Sequence, residues 1–595
     1  MQCHDWRQTW VWSNNKKKIY SRMKYGFHFF IASIIPALIG IGATFHPKAP
    51  EHRLAEIEPT IGCGPITTQP LPDANGKFIP VLPGLGSHTY RISTEQDSAR
   101  LFFNQGLNLY YSYHLQEALA SFKEAARFDS AAAMTWWGQA LSMGPYYNSY
   151  SYKMRPGVPA ALAAMNRHRS TATEKEKGLI DAMQQRYSSD FTNADRSHLD
   201  SVYAKKMSAL VAQYPEDNDI KALYIDAVML QHKWDFWRTD RTPKQWTPQL
   251  ITLCQTILKK DPHHPAALHY YIHLTEASGE PGLALAGADI LKNDMPGAGH
   301  MVHMASHMYQ RNGLFAQGVT VNEDANTAYN LEDSLAPALG LGRNNVIHVF
   351  AVQSYCAMNA GMYKKGMPVY MRTRDQLVAS RPVFEKEPYS QFIYMFPVMA
   401  LVRLGKWDEI MHASMPDRQW KYATILAHFA RGMANVRHTD LRAATADLDS
   451  LQMNLSDSLL GVRMMPFDKP AQCGSIAAGI LRGEILFAEG KQDEAVHSFD
   501  EAVAEEDALI YREPQQWLIP VRQYLGVVLL KMEKPAVAEK VYRADLFRNP
   551  GNGWSLLGLY QCLLAQQKSA EAANVKTKYL NAFASGDVSP VASAF

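Results

Sequence analysis

Small and aromatic residues recur through this chain at one fixed set of intervals. Gly106, Ala118, Phe122 and Ala125 stand 12, 4 and 3 residues apart, and Gly483, Ala495, Phe499 and Ala502 repeat those intervals. Gly526, Ala538 and Tyr542 keep the first two and are followed by Pro550; Trp554, Gly558 and Ala570 are read as a last unit, and Gly432 and Ala444 as a weaker one. Ala284 lies 12 after Ile272, Pro296 closes that unit, and Ser306 and Gly318 follow 34 residues on. A small residue lets two helices approach, and the aromatic fills the space left between them. From Asp97 onward apolar residues recur at three and four without β-branched alternation, which predicts an all-α chain. A repeat of this size cannot bury its apolar face alone, so neighbours must stack and leave a concave inner surface.

The intervals resemble the tetratricopeptide repeat, a helix–turn–helix unit of about 34 residues. That resemblance implies an α-solenoid of helical hairpins in a right-handed superhelix over most of residues 97–580, with irregular stretches near 146–200 and 330–420. Asp129-Ser130 departs from the family, which usually carries a proline there. The organisation expected is a leader in residues 1–45, a Pro-rich linker or arm in 46–95, an N-terminal array in 96–330, divergent repeats in 331–470 and a C-terminal array in 471–595.

Five histidines fall on this ruler in a telling way. His269 and His273 are four apart, as are His303 and His307, and each residue of the first pair is 34 before its counterpart in the second. Residues four apart share one helix face. In the repeat family the positions of His269, His273, His303 and His307 line the concave groove, together with His300, Glu276 and Gln310. First helices of adjacent repeats lie ~8–10 Å apart, so these imidazoles should converge beside a carboxylate. Neutral imidazole is a common ligand for zinc, copper and iron. On that chemistry His269, His273, His303 and His307 are the candidate ligands, His300 a fifth, and Glu276 a supporting partner or base. Other readings stay open: stacked hydrogen-bonded side chains, or a groove for a peptide or aromatic ligand. Tyr146, Tyr147 and Asn148 follow a Gly-Pro break and would give such a groove an aromatic wall with polar tips.

The same stretch resembles an uncharacterised bacterial group of repeat proteins with HxYIHxxE followed by PGAGHxxHMxSHxY. Here these are His269–Glu276 and Pro296–Tyr309. FNQGL at Phe103–Leu107, WWGQALSMGPYYN at Trp136–Asn148, HFARGMA at His428–Ala434 and NPGNGWSLLGL at Asn549–Leu559 are similar too. The group's cysteines before WWG are replaced by Ala131–Met134, which argues against thiolate ligation. His88, His114 and His348 are further candidates for the site, each read as structural first.

Among the 595 residues, 60 Lys and Arg against 57 Asp and Glu leave a formal charge of +3, a poor match for a nucleic-acid binder. Six scattered cysteines exclude a disulfide scaffold, and no phosphate loop, HExxH or GxSxG is present. Lys16, Lys17, Lys18, Arg22 and Lys24 precede an apolar run from Tyr25 to Phe45, with Met23 a second possible start. A basic flank before such a run marks a signal peptide or anchor, so export to the periplasm or cell surface is expected, with membrane contact through this segment alone. The first functional expectation is an exported solenoid that binds a protein, peptide or small ligand in its groove. The second is a metalloprotein or metalloenzyme built on the histidine cluster, its cofactor zinc, copper or iron; on the first there is none.

Overall fold

The computed structural model describes residues 69–149, 152–190, 195–339, 342–380, 384–464 and 467–595. The export segment and the first part of the Pro-rich stretch lie outside them. Among the described residues 25 α-helices succeed one another, and the one β-contact is an isolated bridge between Trp237 and Pro243. None of these helices is long and apolar enough to cross a membrane. The chain is an α-solenoid of tetratricopeptide-like hairpins.

The repeat intervals have a direct steric meaning. In the first hairpin, α1 (Asp97–Tyr111) packs on α2 (Leu115–Phe128), and a Cβ on Gly106 would sit 2.8 Å from the Phe122 ring. The same meeting recurs between Gly483 and Phe499 at 2.7 Å, and between Gly526 and Tyr542 at 2.2 Å. Seven residues after the small position each hairpin turns through a left-handed residue: Tyr113, Gly313, Thr439, Gly490 and Glu533 follow Gly106, Ser306, Gly432, Gly483 and Gly526. The last unit departs from its expected register. Its left-handed residue is Gln567 and its buried alanine is Ala572, while Ala570 is exposed. Gly558 instead meets the Tyr542 ring from the far side, at 2.1 Å.

Residues 79–92 are a wrapping arm. Ile79, Leu82, Leu85, Tyr90 and Ile92 are buried, and the Leu82 N–H donates to Gln105 Oε1 at 2.9 Å. Four further helices carry the candidate site: α3 (Pro265–Thr275), α4 (Leu285–Asp294), α5 (Gly299–Arg311) and α6 (Phe315–Leu335), followed by α7 (Gly342–Asn359). The C-terminal hairpins return to them. Arg311 Nη1 and Arg241 Nη2 both donate to the Arg548 carbonyl, at 2.9 and 2.8 Å, and Trp554 Nε1 donates to the Asn359 carbonyl at 3.1 Å. Gly313 and Gly551 touch backbone to backbone, where a Cβ on Gly313 would lie 2.4 Å from the Gly551 carbonyl.

The described cysteines, Cys254, Cys356, Cys473 and Cys562, are buried and free. Burial holds the thiols of Cys254 and Cys356 well above their usual range.

Candidate metal centre

Local sequence places the histidines. α3 starts with Pro265 in its first turn, where a missing N–H costs nothing, and His264 Nδ1 accepts from the Ala267 N–H. α5 starts at Gly299, where any side chain would collide with the Tyr329 ring of α6, 2.7 Å away. His269 and His273 stand on α3, His300, His303 and His307 on α5, and His348 on α7.

These rings do not line an open groove. His269 and His303 are fully buried, and His273, His300, His307 and His348 are 2%, 3%, 2% and 7% exposed. The hairpins coil tightly enough that the turn of the first one covers the site. The Tyr113 ring lies 4.5 Å from the His269 ring, 5.6 Å from His300 and 6.0 Å from His273. The two repeat-related pairs meet through His273 and His307, whose rings are 6.0 Å apart; within α5 the rings of His300 and His303 are also 6.0 Å apart.

What the rings face is decided by their outer nitrogens. His269 Nδ1 lies 2.6 Å from the Tyr111 carbonyl, which can only accept, so Nδ1 carries the proton. His303 Nδ1 lies 2.6 Å from Asn322 Oδ1, and that amide is oriented by its Nδ2 donating to the Gly318 carbonyl at 2.7 Å. His273 Nδ1 and His307 Nδ1 grip the two oxygens of Glu276, at 3.2 and 2.7 Å. With Nδ1 protonated, the neutral ring presents a lone pair at Nε2. Yet His269 Nε2 is 3.1 Å from His273 Nε2, and His303 Nε2 is 3.0 Å from His307 Nε2. His300 Nε2 joins the first pair, 3.1 Å from His269 Nε2.

Burial keeps these rings neutral. It lowers His273 to about 3 and His303 and His307 to about 4, and it holds His269, His300 and His348 well below the usual histidine value. Glu276 is raised by burial, against the opposing pull of His307 and Arg311. Extra protons on the rings therefore do not explain the close Nε2 pairs.

A pocket of about 120 Å³, open to solvent, has His273 and Glu276 in its lining. Its walls include Tyr147, Trp234, Trp237 and Tyr511, with Arg241 and Arg512 among its charged residues. Of the groove residues expected from sequence, Tyr147 lines this pocket with its ring 5.0 Å from His273. Tyr146 packs on Tyr113 with ring centroids 6.0 Å apart, and Asn148 and Gln310 are buried elsewhere in the core. His88 stands apart from the centre, its Nε2 2.9 Å from Asp219 Oδ1 and its ring against His264. His114 lies one layer behind, its Nδ1 2.8 Å from Glu332 and its Nε2 accepting from the His300 N–H.

Sequence spacing gives no sign of Asn322 or Glu513, and His348, read there as structural before a site role, stands with the cluster. His348 is offset from the 34-residue register because α6 runs for 21 residues and a 3₁₀ turn follows it. Asn322 carries no signal without its partner. Glu513 comes from a distant loop: it is 2% exposed, neither carboxyl oxygen meets a hydrogen-bond partner, and burial with the nearby Glu276 charge raises it far above the usual carboxylate range.

No family model matches the chain, and no curated protein matches it. Among solved structures it is similar to human IFIT1 crystallised as a dimer with m7Gppp-AAAA, at 12% identity and a TM-score of 0.29, over 82% of this chain and 90% of that one. It is also similar to yeast Tom70, at 11% identity and a TM-score of 0.28 over 75% and 92%. Cut9–Hcn1 of the APC/C follows at 10% identity and a TM-score of 0.25, over 82% and 94%.

Proposed function

We propose that this protein is a metalloprotein that holds a transition-metal ion on the imidazoles of α3 and α5 and admits a small ligand to it through the adjoining pocket. One observation carries this: Nε2 lone pairs face each other at 3.0–3.1 Å with their protons committed to partners on the far side of each ring. Such pairs repel unless a cation sits between them. A single proton on Glu276, passed to one ring, would relieve one pair and leave the other. Nitrogens sharing an ion at ~2.0–2.1 Å lie roughly 2.8–3.0 Å apart at right angles and roughly 3.3–3.4 Å apart in tetrahedral geometry, and the separations of 3.0–3.1 Å fall between these. Glu276, Asn322 and the Tyr111 carbonyl then act as the outer partners that orient metal-bound imidazoles. The donors are nitrogen alone, which suits zinc, copper or iron rather than magnesium or calcium.

His269, His273 and His300, whose Nε2 atoms meet, would leave a coordination position open on a four-coordinate ion, the arrangement of metal sites that bind or transform a ligand. The pocket reaching His273 supplies the route, and its aromatic wall suits a small organic molecule better than a peptide laid along the buried first helices. The basic flank and apolar run before residue 46 support a site of action outside the cytoplasm, checked by fractionating cells that produce the chain.

Metal analysis of the purified full chain tests the central reading. Stoichiometric zinc, copper or iron is expected, lost in a His303→Ala, His307→Ala double variant. Metal-free protein whose melting temperature moves with neither a chelator nor added zinc or copper overturns it.

A further inference from the structure

The six histidines divide into two sets. His269, His273 and His300 each offer a ligand atom within 4.8 Å of one another, and so do His303, His307 and His348. Ring contacts follow the same division: His269 lies 4.9 Å from both His273 and His300, whereas His348 lies 4.9 Å from His303 and 5.8 Å from His307. His348 Nδ1 is buried and has no hydrogen-bond partner, as expected of a nitrogen held for a ligand.

We propose that the centre holds two ions, one on His269, His273 and His300 and the other on His303, His307 and His348, with Glu276 clamping one ring of each set. This rests on the metal reading above and asks how many ions the centre takes. The geometry of the lone pairs favours two. An ion between His269 and His273 does nothing for His303 and His307, whose Nε2 atoms meet on the other helix. A one-ion centre therefore leaves one of the two pairs unsupported, while a two-ion centre supports both. Glu276 is arranged for the second case, because each of its oxygens serves a different set. Two buried cations also need counter-charge. Glu513 is a second buried carboxyl near Glu276. No thiol contributes, since the four described cysteines are buried in helix packing outside both sets.

The two sets are neighbours. With rings of opposite sets 6.0 Å apart, two copper(II) ions held in them would be close enough for dipolar interaction between their spins. The pocket has His273 and Glu276 in its lining, so the ion of the first set is the one a ligand meets first.

The test is loading of the full chain with copper(II) and, separately, zinc(II), followed by removal of loosely bound ions and counting. Two ions per chain are expected. At full loading with copper(II), the electron paramagnetic resonance signal should be broadened by dipolar interaction between neighbouring ions. His348→Gln and His300→Gln should each hold one ion, with copper(II) then giving an uncoupled signal of about one spin. Wild-type protein saturating at one ion overturns the proposal while leaving the metal reading in place. Uptake of no ion overturns both. Two fully uncoupled spins, or a folded His348→Gln chain that still binds two ions, also overturns the pairing. The wild-type count decides the question even if a variant does not fold.

Discussion

Asn322 decides which nitrogen of His303 carries the proton. Its Oδ1 can only accept, and the Gly318 carbonyl fixes which end of the amide faces the ring. Removing it frees His303 to rotate and to place a proton on Nε2, where the ion would sit. Asn322→Ala should weaken zinc binding about 10–100-fold, measured by competition with a chromophoric chelator, while helix content is unchanged. Asn322→Asp keeps an acceptor and should bind within a few-fold of the parent. A wild-type affinity in Asn322→Ala would mean that the amide serves packing alone. Tyr113 shows the same economy: a residue in the left-handed conformation, φ 58°, that both turns the hairpin and seats its ring over three histidines.

At the scale of elements, the repeat is held by close approach. The Tyr542 ring is pinned between Gly526 and Gly558, which a Cβ on either side would reach at 2.2 and 2.1 Å. The ring has nowhere to move, so Gly526→Ala should destabilise by roughly 1–3 kcal/mol in denaturant melts. Gly461 has open space around it and no left-handed φ, so Gly461→Ala should stay within about 0.5 kcal/mol of the parent. An equal loss in both would remove the steric account of the repeat. The helix Gln492–Asp507 ends on a second device. Burial, with the Asp545 charge, pushes Glu506 up to about 8, although its Oε2 accepts from the Val521 N–H and Arg522 stands nearby. The ordinary value is 4.5. Between those two values the unfolded chain ionises Glu506 and the folded chain does not. Its contribution to stability is therefore intact below pH 4.5 and lost as pH rises through 8, at up to about 1.4 kcal/mol per pH unit. Glu506→Gln should flatten that part of the melting-temperature profile; an unchanged slope would assign it to other groups.

At the scale of the whole molecule, the solenoid closes on its own inner face. The arm carrying Leu82, the turn carrying Tyr113 and the return of Arg548 to Arg311 and Arg241 bury what a looser coil would display. On the proposed metal reading, metal and fold would be coupled, because the unfolded chain cannot reproduce six converging imidazoles. Chelation should lower the melting temperature, and added zinc should restore it. At a free ion concentration 100 times the dissociation constant the gain is ~2.7 kcal/mol per site. Calorimetric scans with and without chelator measure this, and coincident scans would mean that the folded chain binds no ion.

The sequence by itself determined the helical hairpins, because Gly106, Gly483 and Gly526 and their aromatic partners are local in the chain and their intervals are the steric contact itself. It also determined that His269, His273, His303 and His307 meet, since equal positions in successive hairpins stack on one face. It did not place His348, because the long α6 breaks the register, nor Glu513, which arrives from 237 residues beyond Glu276. Whether the inner face is a groove or a core is a matter of coiling. That depends on contacts such as Gly313 with Gly551 and Tyr113 with His269, between hairpins far apart in the chain. Nor does a spacing say which nitrogen of an imidazole bears a proton. The Tyr111 carbonyl and the Asn322 amide decide that, and they reach the rings only when the hairpins are packed.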